Sequence, residues 1–286
     1  MGSRFLQDPP EFLYKYMPWN EGAKKTISEG TLLWSDPRRW NDPFDSLPYQ
    51  PLITIEALRG TDEGRELIRK YRAKNRIRGA EWVRHKRVHE RWLSNALYEN
   101  VLMDEYASRG ILSLSAAPMN LLMWSHYADH HRGIMLELSP HRDPRVPHGV
   151  VSEDNQDEII LWSAENLYSQ GVVYCDDRPE FRYPVVDGDE YKNSLYFTKS
   201  THWSYEQEFR SIRLSGPGVF PYAQRDRLIS IICGLRMSDE AFRECVDAVY
   251  TRNKDIGSSI RVFKAEETTA RYAVYAPGHL RLGLKT

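Results

Sequence analysis

The chain has 286 residues, 28 % of them charged and 12 % aromatic, with 8 Trp and 17 Tyr. That length can bury a sizeable core, and the aromatic content excludes a disordered acidic or polar tail. No run nears the roughly 18 to 20 apolar residues of a membrane helix, and the first dozen residues lack the apolar core of a secretory signal, so a cytoplasmic protein without membrane attachment is expected.

The formal net charge of -1 hides an asymmetry, because Arg65 to Arg91 holds eleven Lys or Arg against three Glu, which leaves -9 for the rest. Such segregation points either to a polyanionic partner or to acidic surface elsewhere on the same protein or on a second subunit. Cys175, Cys233 and Cys245 are odd in number and show no CxxC spacing, so neither a disulfide framework nor a cysteine zinc site is expected.

Taken in order, Phe12 to Tyr16 reads as a strand, Glu21 to Glu29 as a helix closed by Gly30, and Thr31 to Ser35 as a strand. Asp36 to Pro43 is a turn-rich loop. Residues 62–109 lack Pro and repeat Trp82, Trp92, Leu93, Leu97 and Val101 near helical spacing, which predicts a basic helical insertion broken at Gly79 and around Gly64. Ile111 to Ser115 is a strand, Leu121 to Asp129 a helix opened by Asn120, and Ile134 to Leu138 a strand. An exposed loop is expected from Ser139 to Asn155. Further strands are predicted at Gly171 to Tyr174, Tyr205 to Leu214, Leu228 to Cys233, Ser259 to Phe263 and Tyr272 to Tyr275. Gly216 to Gly218 reads as a turn and Ser238 to Tyr250 as a helix with Ser238 as its cap. The order lacks regular βαβ alternation, so residues 1–286 read as one α+β domain.

Three segments concentrate chemistry. In WSYEQEFR, strand alternation puts Trp203, Tyr205, Gln207 and Phe209 on a core face and Ser204, Glu206, Glu208 and Arg210 on the other. The two carboxylates lie about 6.5 to 7 Å apart along such a strand. Repulsion and the neighbouring guanidinium can then keep one charged and the other protonated. His202 and Lys199 add titratable groups, and a solvated Glu/Arg ladder is the alternative. In LLMWSHYADHH, His126 and His130 have the i, i+4 spacing of zinc helices, but Tyr127 stands where the glutamate of HExxH belongs and no third ligand is evident. A helix without a metal, whose His and Tyr line a pocket or bond to the core, is expected. NDPFD, Asn41 to Asp45, is a tight turn on backbone grounds or a loop that closes over the site. Nucleophile elbow, GxxxxGK and GxGxxG are all missing, which removes serine hydrolase, nucleoside triphosphatase and Rossmann readings.

LYKY at 13–16, NDPFD at 41–45, ILSLS at 111–115, LMWSHYADHHRGIMLEL at 122–138 and KSTHWSYEQEFR at 199–210 together resemble a largely bacterial family known as domain of unknown function 2971. The order of YKY strand, helix ending in EG, TLL strand and late ExE strand is similar to that of ADP-ribosyltransferases. This second resemblance implies a mainly antiparallel sheet core and NAD as substrate. It implies Tyr14 or Lys15 as the first-strand element, with Tyr16 and Asn41 nearby, Ser113 or Ser115 as the second-strand element, and Glu208 as the catalytic carboxylate. Glu206 would assist acceptor deprotonation beside Arg210 and His126, with Tyr127 or Trp124 stacking on nicotinamide or adenine. A fixed carboxylate suits the positive charge that develops on ribose as the nicotinamide bond breaks.

The basic helices would recruit RNA, DNA or tRNA through Arg69, Lys70, Arg72, Lys74, Arg76, Arg84, Lys86 and Arg87, with Tyr71, Trp82 and Trp92 for base stacking. Two other readings stay open. One is a non-enzymatic nucleic-acid- or protein-binding module of a defence or toxin-antitoxin system, engaging an antitoxin or defence partner. The other is a nuclease using Glu206, Glu208 and His126 around Mg²⁺ with Asp42 or Asp45.

Overall fold

The computed structural model describes residues 9–107, 109–140, 167, 169–183, 194–213, 215–222 and 227–284, with side chains omitted for 101–107. Most of the expected loop from Ser139 to Asn155 lies outside them.

Side-chain caps set the early elements. Strand β1 (Leu13–Met17) is followed by α1 (Glu21–Ser28), where Asn20 accepts from the Ala23 amide, and then by β2 (Thr31–Trp34). Gly30 makes the αL turn between them at φ 68°. The basic segment is helical as expected and begins earlier: α2 (Ile55–Arg59) and α3 (Asp62–Lys74) are capped by Thr54 and Thr61, and α4 (Gly79–Arg84) and α5 (Lys86–Ala107) follow. Strand β3 (Gly110–Ser115) leads to α6 (Leu121–Tyr127), capped by Asn120, and then to β4 (Ile134–Leu138).

Short strands β5 (Gln170–Gly171), β6 (Val173–Cys175) and β7 (Thr198–Ser200) precede β8 (Glu208–Arg213), β9 (Gly218–Pro221) and β10 (Leu228–Cys233). Helix α7 (Asp239–Ile256) outlasts its expected span and ends at Gly257, with φ 65°, before β11 (Arg261–Lys264), β12 (Glu266–Glu267) and β13 (Val274–Tyr275).

Seven strands form a mixed sheet in the order β11-β10-β4-β1-β3-β8-β5. Only β10 and β11 run parallel, joined by the crossover helix α7; the other neighbours are antiparallel. The fold is therefore α+β. Leu13, Leu112, Leu136, Phe209 and Ile231 pack with α1 and α7 through Ile27 and Val249. Tyr14, Tyr16, Met135 and Ile232 belong to a second cluster with Met123 and Trp124 of α6 and with Leu282. The basic helices have a core of their own, Leu58, Ile68, Tyr71, Trp82, Leu93 and Leu97, shared with Ile111, Phe181, Tyr196 and Phe197.

Two expectations fail locally. Helix α6 stops at Tyr127, and Asp129, His130 and His131 follow at φ 45°, 53° and 70°, so His126 and His130 do not share a helix face. The strand expected from Tyr205 starts only at Glu208. Thr201–Glu206 forms a 3₁₀ helix capped by Ser200, and Gln207 at φ 45° turns the chain into β8. Alternation therefore governs Glu208, Phe209 and Arg210 but not Trp203 to Glu206.

Candidate functional site

The sheet opens between β1 and β3. Their ladder is the single pair Tyr14 and Ser115, whereas β1 keeps five pairs with β4 and β3 six with β8. Lys15 reaches across the opening and its ammonium donates to the Ser113 carbonyl at 2.9 Å. A cavity of about 190 Å³ lies here, lined by Tyr14, Lys15, Tyr16, Trp40, Asn41, Asp45, Ser113, Ser115, Tyr127, Lys199, Glu206 and Glu208 among others. Nine of the twelve residues that the sequence nominated for catalysis or NAD binding thus line one cavity.

The registers Ser115 to Glu208 and Ser113 to Arg210 carry the polar groups of β3 and β8 onto one face. Glu206, Glu208 and Arg210 are only 3 %, 4 % and 1 % exposed, which removes the solvated-ladder alternative. Lys199 sits at their centre: its Nζ is 2.6 Å from Glu206 Oε2, 3.0 Å from Glu208 Oε2 and 3.3 Å from Asp45 Oδ2. Arg210 Nη2 forks onto both Asp45 oxygens at 2.8 and 2.7 Å, and Nε donates to Glu208 Oε1 at 2.8 Å. Its Nη1 donates to the Tyr196 carbonyl at 2.6 Å and to Ser46 Oγ at 3.1 Å, so every edge of the guanidinium is used.

The two glutamates differ. Burial would raise Glu208, but Arg210 and Lys199 overcome it and hold this carboxyl far below the usual range. Burial raises Glu206 against the pull of Lys199, and the Glu208 charge adds to the rise. Tyr127 donates to Glu206 Oε1 at 2.5 Å, and its phenol is itself pushed upward by burial and by Glu206. Burial lowers Lys15, with Glu208 and Glu206 opposing, whereas Lys199 stands above its ordinary value because Glu208, Asp45 and Glu206 outweigh burial. One carboxylate stays ionised and its neighbour takes up a proton readily, a separation that acid/base sites use.

Other nominated residues have different positions. Trp124 is fully buried, edge-on to Tyr16 at 5.3 Å, so it cannot stack on a ligand. Tyr16 donates to the Ala117 carbonyl at 2.8 Å, and Ser115 donates to the Glu206 carbonyl at 2.5 Å, tethering the 3₁₀ helix. His126 is exposed, its ring 6.3 Å from that of Tyr205, and does not line the cavity. Arg210 stands behind Glu208, beneath the Trp40 ring at 4.6 Å. No group of three or more His, Cys, Asp or Glu among the described residues is arranged to hold a metal ion.

Sequence reasoning gave Asp45 to a turn, to a loop closing over the site or to a metal, and treated Lys199 as a flanking group. The Asp45 partner lies 165 residues away, which no local spacing signals. The only hint was a second acid after NDP in a turn-rich loop.

In the basic helices, Arg69 and Lys70 pair with Glu66, Lys86 pairs with Glu56 and Glu90, and Arg72 lies over Trp82. Lys74, Arg76, Arg84 and Arg87 are exposed. Tyr71 and Trp82 are buried at 8 % and 6 % exposure and are not free to stack on bases, whereas Trp92 is 43 % exposed.

Comparison with curated proteins and with solved structures finds no match. The model of one family, described as Protein of unknown function (DUF2971), matches residues 123–211, the stretch from α6 through the paired glutamates to Ser211. Over that stretch, the chain is similar to the DUF2971 family.

Proposed function

We propose that the cleft binds the nicotinamide end of NAD and that the protein cleaves the nicotinamide–ribose bond, passing ADP-ribose to an acceptor or to water. The carrying observation is the pair of buried glutamates on Lys199, one held ionised and one easily protonated, in the wall of the cavity where β1 and β3 part. The C1′–N bond breaks with its electron pair leaving on nicotinamide, and the ribose becomes cationic. Glu208 is bonded by Arg210, Lys199 and Ser113, so it acts as a fixed negative charge. Each Glu206 oxygen accepts one hydrogen bond, leaving lone pairs for the proton lost when an acceptor hydroxyl attacks C1′. This reading keeps the division expected from the sequence, with Glu208 as the fixed charge and Glu206 as the proton acceptor.

The cavity, about 190 Å³, is below the roughly 300 to 1,000 Å³ of clefts for drug-sized ligands, so it suits one ring and its sugar, flanked by Tyr14, Trp40 and Tyr127. Diphosphate and adenosine would extend past the mouth. Nucleic acid drawn by the basic helices is the acceptor this reading favours, in a toxin or an antiviral defence protein.

The complete pairing of Arg210 with Asp45 and Glu208 favours one second reading, a structural ion cluster in a non-enzymatic binding module of the same systems. Purified protein with NAD labelled in the nicotinamide ring separates the two. Released nicotinamide, with or without RNA or DNA, is the expected result, and its absence under every condition overturns the transferase reading.

A further inference from the structure

A second cavity, of about 620 Å³, lies between α5 and the segment at 50–52. Gln50, Leu52, Arg87, Val88, Arg91 and Asn95 line it, and Gln50 donates to Asn95 across it at 3.2 Å. Arg87 and Arg91 stand one helical turn apart on the same side of α5. Neither has an ion pair or hydrogen-bond partner among the described residues, in contrast to Arg65, Arg69, Lys70 and Lys86 on the same helices. Leu52 and Val88 are 51 % and 64 % exposed in the groove, so apolar surface and unpaired cations meet there. Trp92 continues the Val88 strip one turn on, half-exposed and stacked on Tyr71 with ring centres 4.3 Å apart.

We infer that this groove is a binding site for single-stranded nucleic acid, with Arg87 and Arg91 on phosphates and bases lying against Leu52, Val88 and Trp92. Arginines left without a carboxylate on a helix pair carrying a large positive excess match a phosphodiester backbone in charge. The apolar strip and the half-exposed indole match unstacked bases, whose faces a paired duplex hides. An acidic peptide supplies the charge without the planar faces, so it would leave the strip unused. The inference rests on the reading of the basic helices as the nucleic-acid side of the protein. It does not rest on NAD chemistry, since the test contains no NAD and its failure leaves the nicotinamide-release result standing.

The test is fluorescence anisotropy of the full chain with a labelled 20-nucleotide RNA, the same sequence as DNA, its duplex, and a polyglutamate peptide. Single strands should bind, weakening steeply between 50 and 200 mM salt. The double variant Arg87→Gln, Arg91→Gln should lose at least about tenfold in affinity, with the slope of log K against log salt shallower by about 1.4, the value for two phosphate contacts. Trp92→Ala should weaken binding with the slope unchanged, and Arg65→Gln, whose cation is already paired, should bind as wild type. RNA bound better than DNA, or the reverse, names the natural strand and supports the inference equally. It is overturned if single strands do not bind at 50 mM salt, if the double variant binds as wild type, or if duplex or polyglutamate binds as tightly as single strands. Thermal melting of each variant keeps folding defects apart from lost contacts.

Discussion

Lys199 and Arg210 decide what the two glutamates can do. Both cations are buried among three carboxylates, and removing one partner from such a set leaves a charge uncompensated. Glu208 has a folded-state pKa far below its ordinary 4.5, so the unfolded chain binds its proton more readily. Its stabilising share is complete above pH about 4.5 and is lost as pH falls through the folded value. Glu206 runs the other way: its raised folded value means that its share is complete below about 4.5 and declines as pH rises. Urea midpoints should therefore fall between pH 5 and pH 3 more steeply in wild type than in Glu208→Gln. Glu208→Gln should also start lower at pH 6, because Lys199 and Arg210 lose a carboxylate. Equal slopes for the two proteins would contradict this assignment.

At the level of elements, close backbone approach explains why the chain around α6 is so constrained. A Cβ on Gly133 would lie 2.3 Å from the Met17 carbonyl oxygen, and one on Gly234 would lie 2.2 Å from that of His131. Gly133→Ala should cost about 1 to 3 kcal/mol in chemical denaturation through forced backbone displacement, and an unchanged midpoint would refute the packing. Strands with clear apolar runs between turn residues were legible: Ile134–Leu138 and Leu228–Cys233 agree with the sequence at both ends. The start of β8 was not, because Trp203 to Phe209 alternates like a strand while the Ser200 cap and the αL residue Gln207 make its first part a 3₁₀ helix. That one break changes the geometry of the site. Glu206 approaches Lys199 from a helix and Glu208 from a strand, instead of both from one edge.

Over the whole molecule, the cluster draws on the loop at Asp45, on β3, α6 and β7, and on both sides of the αL turn. Sequence spacing exposed the members that lie close together and the family pattern around them, but tertiary pairing such as Asp45 with Arg210 leaves no local trace. The core of the insertion is continuous with Ile111 and with Tyr196, whose carbonyl accepts from Arg210. Basic helices and cleft are therefore mechanically joined. The most direct measurement compares Glu206→Gln and Glu208→Gln side by side for nicotinamide release from NAD and for urea denaturation. Glu206→Gln, which leaves Lys199 with Glu208 and Asp45, should unfold cooperatively at a midpoint above that of Glu208→Gln yet release nicotinamide about 10² to 10⁴ times more slowly than wild type, as loss of a proton-transfer group requires, and Glu208→Gln should lose both stability and turnover. Release at the wild-type rate by Glu206→Gln, or none from the wild-type protein, would contradict a catalytic cleft built on these two glutamates.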